Sequence, residues 1–331
     1  MLQIDLRHPF LGGKSMCKYI VKRLMYMIAT LFVIITLTFI SMKAIPGDPI
    51  AAKYDKASPE VRARIEAVYG LDKPKTEQYF TYLKNMFKGD LGLSITQPSK
   101  TANTIIAESF PASARLGATA LFWGLLVGVL CGFIAGLKRN GLSDVIITVV
   151  ATLGIAIPNF VVASLLQYTF TYKIPVFPPI GWETGGNWLS GNRYVILPVA
   201  ALAFSTIATY VKYMRESVID VMDEEYILLA RAKGLSKRKI MTKYVLRNSI
   251  LPIVTITAQQ VAMLLTGSVV IESIFSIPGI GKYFVNSVTQ RDYTVIMAVT
   301  IFYSVLYMVS MFAMDLLYYK IDPRMREEQL I

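Results

Sequence analysis

Side chains that commonly carry enzyme chemistry or bind metal are scarce in this sequence. It has one histidine, His8, and two cysteines among 331 residues. Cys17 lies in the basic N-terminal segment and Cys131 in an apolar run, so a disulfide between them is not expected. The shortage of both residue types predicts that the chain has no metal site, no bound cofactor and no catalytic residues of its own.

Charged residues are also few. They make up 17% of the chain, against about 25% in globular proteins, while 54% of the residues are hydrophobic. Apolar runs long enough to cross a bilayer recur, so the sequence predicts an all-α membrane protein with six transmembrane helices. The predicted spans are residues 24–45, 114–137, 144–172, 194–214, 250–271 and 293–319.

The basic residues are distributed unevenly between the loops that join these spans. The net charge is +12, and nine Lys and Arg fall between Lys212 and Arg247. Basic loops stay in the cytoplasm, so this asymmetry predicts a multi-pass membrane protein with both termini in the cytoplasm. Topology and anionic lipid account for the positive charge better than nucleic acid does, and no nucleic-acid partner is expected.

The interiors of the predicted spans lack ionisable groups. Lys43, Arg115, Glu272 and Asp315 lie near predicted span ends, where we expect their side chains to reach the interface. A proton- or sodium-driven secondary transporter, or an enzyme within the membrane, would need charged or nucleophilic groups near the midplane. The nearest match to a phosphate-binding loop, residues 279–283, lacks the required first glycine and the Ser or Thr after Lys282. Any ATPase must therefore be another polypeptide.

Some spans contain uncharged polar residues, for which two interpretations remain open. Their side chains either form hydrogen bonds between helices or line a translocation path. The candidates for the path are Asn159, Gln167, Gln259, Gln260 and Thr266. In the second span, glycines at every fourth position, Gly124 to Gly136, predict a smooth stripe for close helix packing.

The chain divides into five predicted segments. These are a cytoplasmic N-terminal segment (1–23), the first span (24–45), an external helical region (46–113), a five-helix core (114–319) with a cytoplasmic coupling loop (215–249), and a cytoplasmic tail (320–331). In the external region, Ser58 and Pro59 open a helix that Gly70 closes, and a second helix starts at Thr76. We interpret this region as a small packed cap, with direct substrate contact as the alternative.

The basic segment 224–252 has the pattern of a docking element. Acidic residues precede a predicted helix, Arg231 and Lys233 end it, and Gly234 is a left-handed stop. Ser236 can cap a second short helix. Two short helices broken at a glycine give a projection that another protein can bind. The alternative is a solvated basic loop that only sets topology.

A series of motifs resembles one family along nearly the whole chain. They are EY at 225–226, ARAKGLS at 230–236, LRN at 246–248, LP at 251–252, IPGDP at 45–49, YGLD at 69–72, GDLG at 89–92, FPAS at 110–113, FSIPGIG at 275–281, RDY at 291–293 and DPR at 322–324. They resemble the first permease subunit of ABC importers of the oligopeptide, dipeptide and nickel group. The first four match that group's cytoplasmic EAA loop, although Glu225 lies five residues before Ala230, not next to it as in the general ABC pattern.

This resemblance implies a type I ABC importer fold, a place in the bacterial cell membrane and a mechanism. Residues 226–236 would be the coupling helix, and the ATPase-coupling residues would be Glu225, Tyr226, Ala230, Arg231, Ala232, Lys233, Gly234, Leu235 and Ser236. The implied partners are a second homologous permease, two cytoplasmic ABC ATPases that bind ATP and Mg²⁺, and an external substrate-binding lipoprotein. The expected substrate is a peptide, with nickel or another small solute as the alternative.

Overall fold

The computed structural model describes residues 12–44, 47–54, 56–183, 193–265 and 268–321. Regular structure in these ranges is helical, apart from one isolated antiparallel bridge between Leu93 and Thr101. Residues 1–11 of the predicted N-terminal segment, residues 322–331 of the predicted tail and the predicted path residue Thr266 lie outside the described residues.

The helices of the described residues lie in two sets, before and after residues 184–192, which the structure does not describe. The first set is α1 (Gly12–Ala44), α2 (Ala51–Tyr54), α3 (Pro59–Tyr69), α4 (Lys75–Phe87), α5 (Ala102–Leu137), α6 (Leu142–Ala156) and α7 (Asn159–Gln167), which continues as a π-helical turn (Tyr168–Lys173). The second set is α8 (Arg193–Met222), α9 (Glu225–Ala232), α10 (Lys237–Lys239), a π-helical segment (Ile240–Leu246), α11 (Arg247–Ser249), α12 (Leu251–Leu265), α13 (Val269–Ile274), α14 (Ile280–Thr289) and α15 (Tyr293–Ile321).

Four of these helices, α1, α5, α8 and α15, are long and apolar enough to cross a membrane. The pair α6 and α7 meets the same criteria together but is bent by 100°. The bend falls at Ile157 and Pro158, where proline lacks an N–H and disfavours helical geometry in the residue before it. The predicted third span therefore exists as a sharply broken pair.

The predicted span 250–271 is not one uninterrupted helix. α12 has 15 residues, about 22 Å in length, whereas a spanning helix needs about 20 residues. Ser268 is extended, and its hydroxyl accepts the Ile271 N–H to cap the new helix α13. The all-α membrane fold is confirmed, and the exact count of six spans stays a prediction.

The centre of the fold is the seam between α5 and α8. A Cβ atom built on Gly128 would lie 2.5 Å from the Tyr210 Cβ, and one on Gly132 would lie 2.7 Å from the Met214 Cβ and the Val211 carbonyl oxygen. Gly124 and Gly136 lie equally close to α8. The prediction that the four glycines serve close helix packing is confirmed.

The two predicted helices of the external region are also present. The Ser58 hydroxyl caps α3, and Gly70, with φ of 63°, ends it. α4 packs on α1 and α15 through an aromatic and aliphatic face, which includes Tyr79, Tyr82, Leu83 and Met86. Burial raises the pKa of the Tyr69 hydroxyl above its ordinary value, so Tyr69 stays protonated and donates to the Ser94 carbonyl at 2.9 Å.

Two of the ionisable residues near span ends are buried inside the fold. Glu272 is 0% exposed and Arg115 is 5% exposed, so the expectation that they reach the interface is wrong. Glu272 accepts the Ser113 hydroxyl at 2.6 Å and the Lys282 N–H at 3.2 Å. The Arg115 guanidinium lies over the Trp182 ring, 5.5 Å from its centroid. Asp315 instead pairs with Arg23 at 2.5 Å.

Candidate functional site

The coupling element, which we define as residues 224–252, begins with α9. This helix has two faces. Ile227 and Ala230 are buried on the inner face, while Leu228 and Leu229 are 69% and 54% exposed on the outer face beside the exposed Tyr226. Large apolar side chains exposed together on a protein surface usually mark a binding site. The outer face of α9 therefore has the character of a contact surface.

α9 ends where the sequence predicts, at Gly234. This glycine has φ of +72°, the Gly234 N–H donates to the Arg231 carbonyl, and the Leu235 N–H donates to the Ala230 carbonyl. This is the Schellman arrangement, which satisfies the last carbonyls of a helix. The coupling helix expected over residues 226–236 is consequently shorter: the helix stops at Ala232, and Leu235 and Ser236 belong to the next element.

The second half of the coupling element starts at Ser236. Its hydroxyl accepts the Lys239 N–H at 3.4 Å and caps α10, as predicted. The chain then widens into the π-helical segment, which buries Ile240 and Val245. The three basic residues of α10 remain exposed. Two short helices separated by a glycine are thus confirmed.

An apolar cluster attaches the coupling element to the long helices. Ile227 and Ala230 of α9 and Ile240 and Val245 of the π-helical segment pack in one buried cluster with three residues of α8 and one of α12. The four partners are Tyr210, Met214, Val218 and Ile253. Close packing in such a cluster resists relative movement, so α9, α8 and α12 are held together as one packed unit.

Polar contacts reinforce this attachment. The Asn248 amide donates to the Tyr226 hydroxyl at 3.0 Å and joins the two ends of the coupling element. The Ser249 hydroxyl donates to the Ser217 carbonyl of α8 at 3.3 Å in a buried position. The element is therefore held to α8 at several points and is not a loose loop.

An ion pair between a buried carboxylate and a half-buried arginine, close to the coupling element, was not predicted from the sequence. Arg215 of α8 donates to both carboxylate oxygens of Asp144, at 2.5 and 2.8 Å. Asp144 also accepts the Asn140 N–H at 2.9 Å. The pair ties the start of α6 to α8, about two and a half helical turns before the coupling element begins. The 71 residues between the partners explain why no local pattern reveals it.

The four described path residues lie on two different helices. Asn159 and Gln167 lie on α7, and Gln259 and Gln260 lie on α12, where Gln259 is exposed and Gln260 is half-buried. The Gln167 amide donates to the Pro179 carbonyl at 2.7 Å and to the Ile274 carbonyl at 3.3 Å. This favours the interhelical hydrogen-bonding interpretation for Gln167, while a path role for all five residues stays a prediction.

One groove does adjoin Gln167. It has a volume of about 600 Å³ and is lined by Ser164, Gln167, Tyr168, Thr171, Tyr172 and Pro179. The Tyr168 and Tyr172 rings are stacked, with centroids 5.6 Å apart. Hydroxyl groups and open aromatic faces give this groove a mixed polar and apolar lining.

Two family models match this chain. The first is described as "Binding-protein-dependent transport system inner membrane component" and matches residues 128–327. The second, an N-terminal family of binding-protein-dependent transport membrane components, matches residues 16–117. The first match includes the whole coupling element. The second includes most of α1 and the whole external region.

Curated proteins similar to the chain match it over nearly its whole length. The dipeptide transport system permease DppB of Bacillus subtilis is 43% identical over 311 residues, which cover 94% of this chain and 98% of that protein. The DppB permease of Lactococcus lactis is 42% identical, covering 94% and 100%. The oligopeptide transport system permease OppB of Escherichia coli K12 is 39% identical over 312 residues, again covering 94% and 100%.

Two solved structures share the fold. An amino acid ABC transporter crystallised with histidines has a TM-score of 0.53 at 16% identity, covering 65% of this chain and 94% of that chain. The MetNI methionine ABC transporter in an inward-facing form has a TM-score of 0.51 at 12% identity, covering 66% and 96%. At these identities the likeness concerns the fold. The resemblance inferred from the sequence motifs is confirmed by the family matches.

Proposed function

Because this chain belongs to the family of binding-protein-dependent transport system inner membrane components, we propose that it is the subunit through which an ATP-driven ABC importer passes peptides into the cell. The relatives that match it over 94% of its length are named dipeptide and oligopeptide permeases. The observation that carries the proposal is the coupling element, whose exposed apolar outer face is fixed by a buried cluster to α8 and α12.

A permease of an ABC importer works with ATPase and substrate-binding partners. We propose the specific set of one homologous second permease, two cytoplasmic ATPase subunits that hold ATP and Mg²⁺, and one external binding lipoprotein. Support for ATPase docking comes from Tyr226, Leu228 and Leu229, which are exposed side by side on α9. Support for a cytoplasmic position comes from the exposed basic residues of α10.

The proposed mechanism is mechanical. Closure of the two ATPases displaces α9, and the buried cluster carries this displacement to α8. α8 packs closely on α5 along the glycine stripe, and Arg215 links it to Asp144 of α6. These helices therefore move as a connected body between inward-open and outward-open arrangements. The chain itself does no chemistry in this mechanism, and hydrolysis belongs to the partner subunits.

Nickel import is not favoured by these observations. Across the described residues, no group of three or more His, Cys, Asp and Glu side chains could hold a metal ion. The names of the matching relatives refer to dipeptides and oligopeptides. Length and side-chain preference of the peptide are properties that the external binding protein would set.

Uptake by the assembled transporter tests the proposal. Proteoliposomes containing this chain, its partner subunits and the binding protein should accumulate a labelled peptide when ATP is supplied on the ATPase side. Uptake should persist after an ionophore collapses the proton gradient. Accumulation that disappears with the gradient, or that the purified chain supports alone, would reject an ATP-driven permease in favour of a secondary transporter.

Gly234 offers a sharper test of coupling. Gly234→Pro should keep ATP hydrolysis but lower peptide uptake by roughly tenfold or more, since proline cannot adopt a φ of +72° and lacks the N–H that donates to Arg231. Gly234→Asn is the matched control, because asparagine tolerates the left-handed conformation and keeps its N–H. If both variants give comparable amounts of assembled complex, the loss of uptake in Gly234→Pro is a defect of coupling and not of folding.

A further inference from the structure

Helix α4 of the external region leaves a mixed apolar and basic stripe exposed. Phe80 and Phe87 are 67% and 82% exposed. Lys84 lies between them at helical spacing, and Lys88 follows directly after the helix. Residues 80, 84 and 87 share one face of an α-helix. In a helix that lies in a membrane interface, aromatic side chains enter the acyl boundary while lysine side chains extend to the polar headgroups.

The inner face of α4, which packs against α1, shows where this stripe lies along α1. Tyr79 forms a hydroxyl–hydroxyl hydrogen bond with Thr36 at 2.6 Å, and its ring contacts Phe39 with centroids 5.2 Å apart. Leu83 and Met86 of α4 pack against the apolar cluster that contains Ile35 and Phe39 of α1. α4 therefore packs beside the outer half of a predicted membrane span, and not only beyond its end.

Two contacts lie near the two ends of the apolar part of α1. Arg23 pairs with Asp315 at one end, and Lys43 lies over the Tyr293 ring at the other, 5.1 Å from its centroid. At 1.5 Å per residue, Arg23 and Lys43 are about 30 Å apart, the thickness of the hydrocarbon core. Thr36 then lies about 10 Å inside the level of Lys43.

The exposed apolar surface of α1 continues to the same level. Phe32, Leu37 and Ile40 are each more than half exposed, with 54%, 58% and 56% of their surface free. These side chains need an apolar surrounding. The exposed face of α4 adjoins this surface, because the inner face of α4 contacts Thr36 and Phe39 between them.

The charge of the stripe is suited to phosphate. Of the ion pairs between described residues, none involves Lys84 or Lys88, whereas Glu77 at the start of α4 is paired with Lys73 at 2.7 Å. The two lysines can therefore bind anionic groups from outside the protein. A lysine near an anionic membrane surface strengthens membrane binding by roughly fivefold.

From this geometry we propose that α4 is an interfacial helix, seated in the outer leaflet of the bilayer with Phe80 and Phe87 among the acyl chains and Lys84 and Lys88 on phospholipid phosphates. The external region is then anchored to the membrane and is not a cap surrounded by water. The proposal concerns the position of α4 and does not depend on the transported solute.

Spin labelling of the assembled transporter in nanodiscs tests the position. Nitroxides are attached at Phe80→Cys or Phe87→Cys in a background without Cys17 and Cys131. Phe32→Cys is the lipid reference, and Arg64→Cys, at an exposed position on α3, is the aqueous reference. We expect labels at 80 and 87 to collide more with oxygen than with a water-soluble nickel chelate, as at residue 32. Labels that behave as at residue 64 would overturn the proposal, as would shielding that appears only when the external binding protein is added.

The lysines are tested with lipid composition. In phosphatidylglycerol nanodiscs the label at residue 87 should lie deeper than in phosphatidylcholine, and the variant K84E/K88E should abolish this difference. The exposed cations Lys56 and Arg64 near and on α3 supply the matched control, K56E/R64E, which should keep it. Equal depth in both lipids for the unaltered helix would contradict the phosphate contacts.

Discussion

At the scale of single residues, the buried carboxylate of Glu272 restricts which residue types can occupy the positions around it. It accepts the Ser113 hydroxyl and the Lys282 N–H, and the Ser113 oxygen in turn accepts the Ile280 N–H at 3.0 Å. A Cβ atom on Gly279 would overlap this carboxylate. Gly279 has a φ of −89°, which any residue can adopt, so the glycine is needed here for space and not for backbone freedom.

This arrangement predicts an interaction between two substitutions. Glu272→Ala should destabilise the protein by roughly 3 kcal/mol because it leaves buried donors unsatisfied. Gly279→Ala should cost about 1–3 kcal/mol through steric overlap. The double variant should cost clearly less than the sum, because removing the carboxylate makes room for the new methyl group. Thermal unfolding of the purified protein in detergent measures all three.

A nearby position shows whether the effect is specific. Ser273→Ala changes an exposed neighbour on α13 and should have almost no effect on unfolding. Strict additivity of Glu272→Ala and Gly279→Ala would mean that the two groups do not meet in the folded protein. The buried position assigned to Glu272 would then be wrong.

Sequence patterns were informative at residues whose role depends on near neighbours. The stop at Gly234, the cap at Ser236 and the end of α3 at Gly70 were all predictable because they depend on backbone geometry within one turn. Ser113 and Glu272 are 159 residues apart, and Ser94 and Asp292, whose side chains share a hydrogen bond of 2.5 Å, are 198 apart. Such pairs arise from the path of the whole chain, so local patterns do not contain them.

At the scale of elements, the predicted helices exist but their breaks were missed. The bend between α6 and α7 occurs at Pro158. The apolar run continues through this proline, so hydropathy alone predicts one uninterrupted span. The extended Ser268 after α12 has a weaker signal, because serine is common both within membrane helices and at caps. Hydropathy therefore locates apolar segments well, whereas their internal breaks depend on how the segments pack.

The connection between α6 and α8 gives the second prediction. Arg215→Gln should destabilise the protein by roughly 3 kcal/mol, because the buried Asp144 would lose its charged partner. It should also reduce transport per ATP hydrolysed, since α6 would no longer follow α8. Chemical or thermal unfolding and the ratio of uptake to hydrolysis are the two readouts.

An exposed ion pair in the same region supplies the comparison. Arg139 pairs with Asp223 at 3.1 Å, and both side chains are more than half exposed. Surface pairs contribute little, so Arg139→Gln should change stability by less than about 1 kcal/mol and leave coupling intact. If Arg215→Gln and Arg139→Gln change stability and coupling to the same extent, the Asp144–Arg215 ion pair does not transmit movement between α6 and α8.

At the scale of the whole molecule, the arrangement depends on which side of the membrane each end faces. The coupling element lies at one end of α8, near Asp144 and the start of α6. α3 and α4 lie on the opposite side, near Lys43 at the C-terminal end of α1. An apolar slab about 30 Å thick separates the two ends. The basic loops predict that the coupling element faces the cytoplasm.

This orientation gives the last prediction. In a background without native cysteines, Lys237→Cys on α10 and Lys73→Cys before α4 are both exposed reporters. A membrane-impermeant maleimide should label residue 73 in intact cells and residue 237 only in inverted vesicles. The basic block should hold residue 237 inside, because its movement through the bilayer would carry several charges across hydrocarbon. Labelling of residue 237 from outside would place the coupling element beyond the reach of any cytoplasmic ATPase, and the proposed mechanism of energy transfer would then be untenable even if the fold and the family remain unchanged.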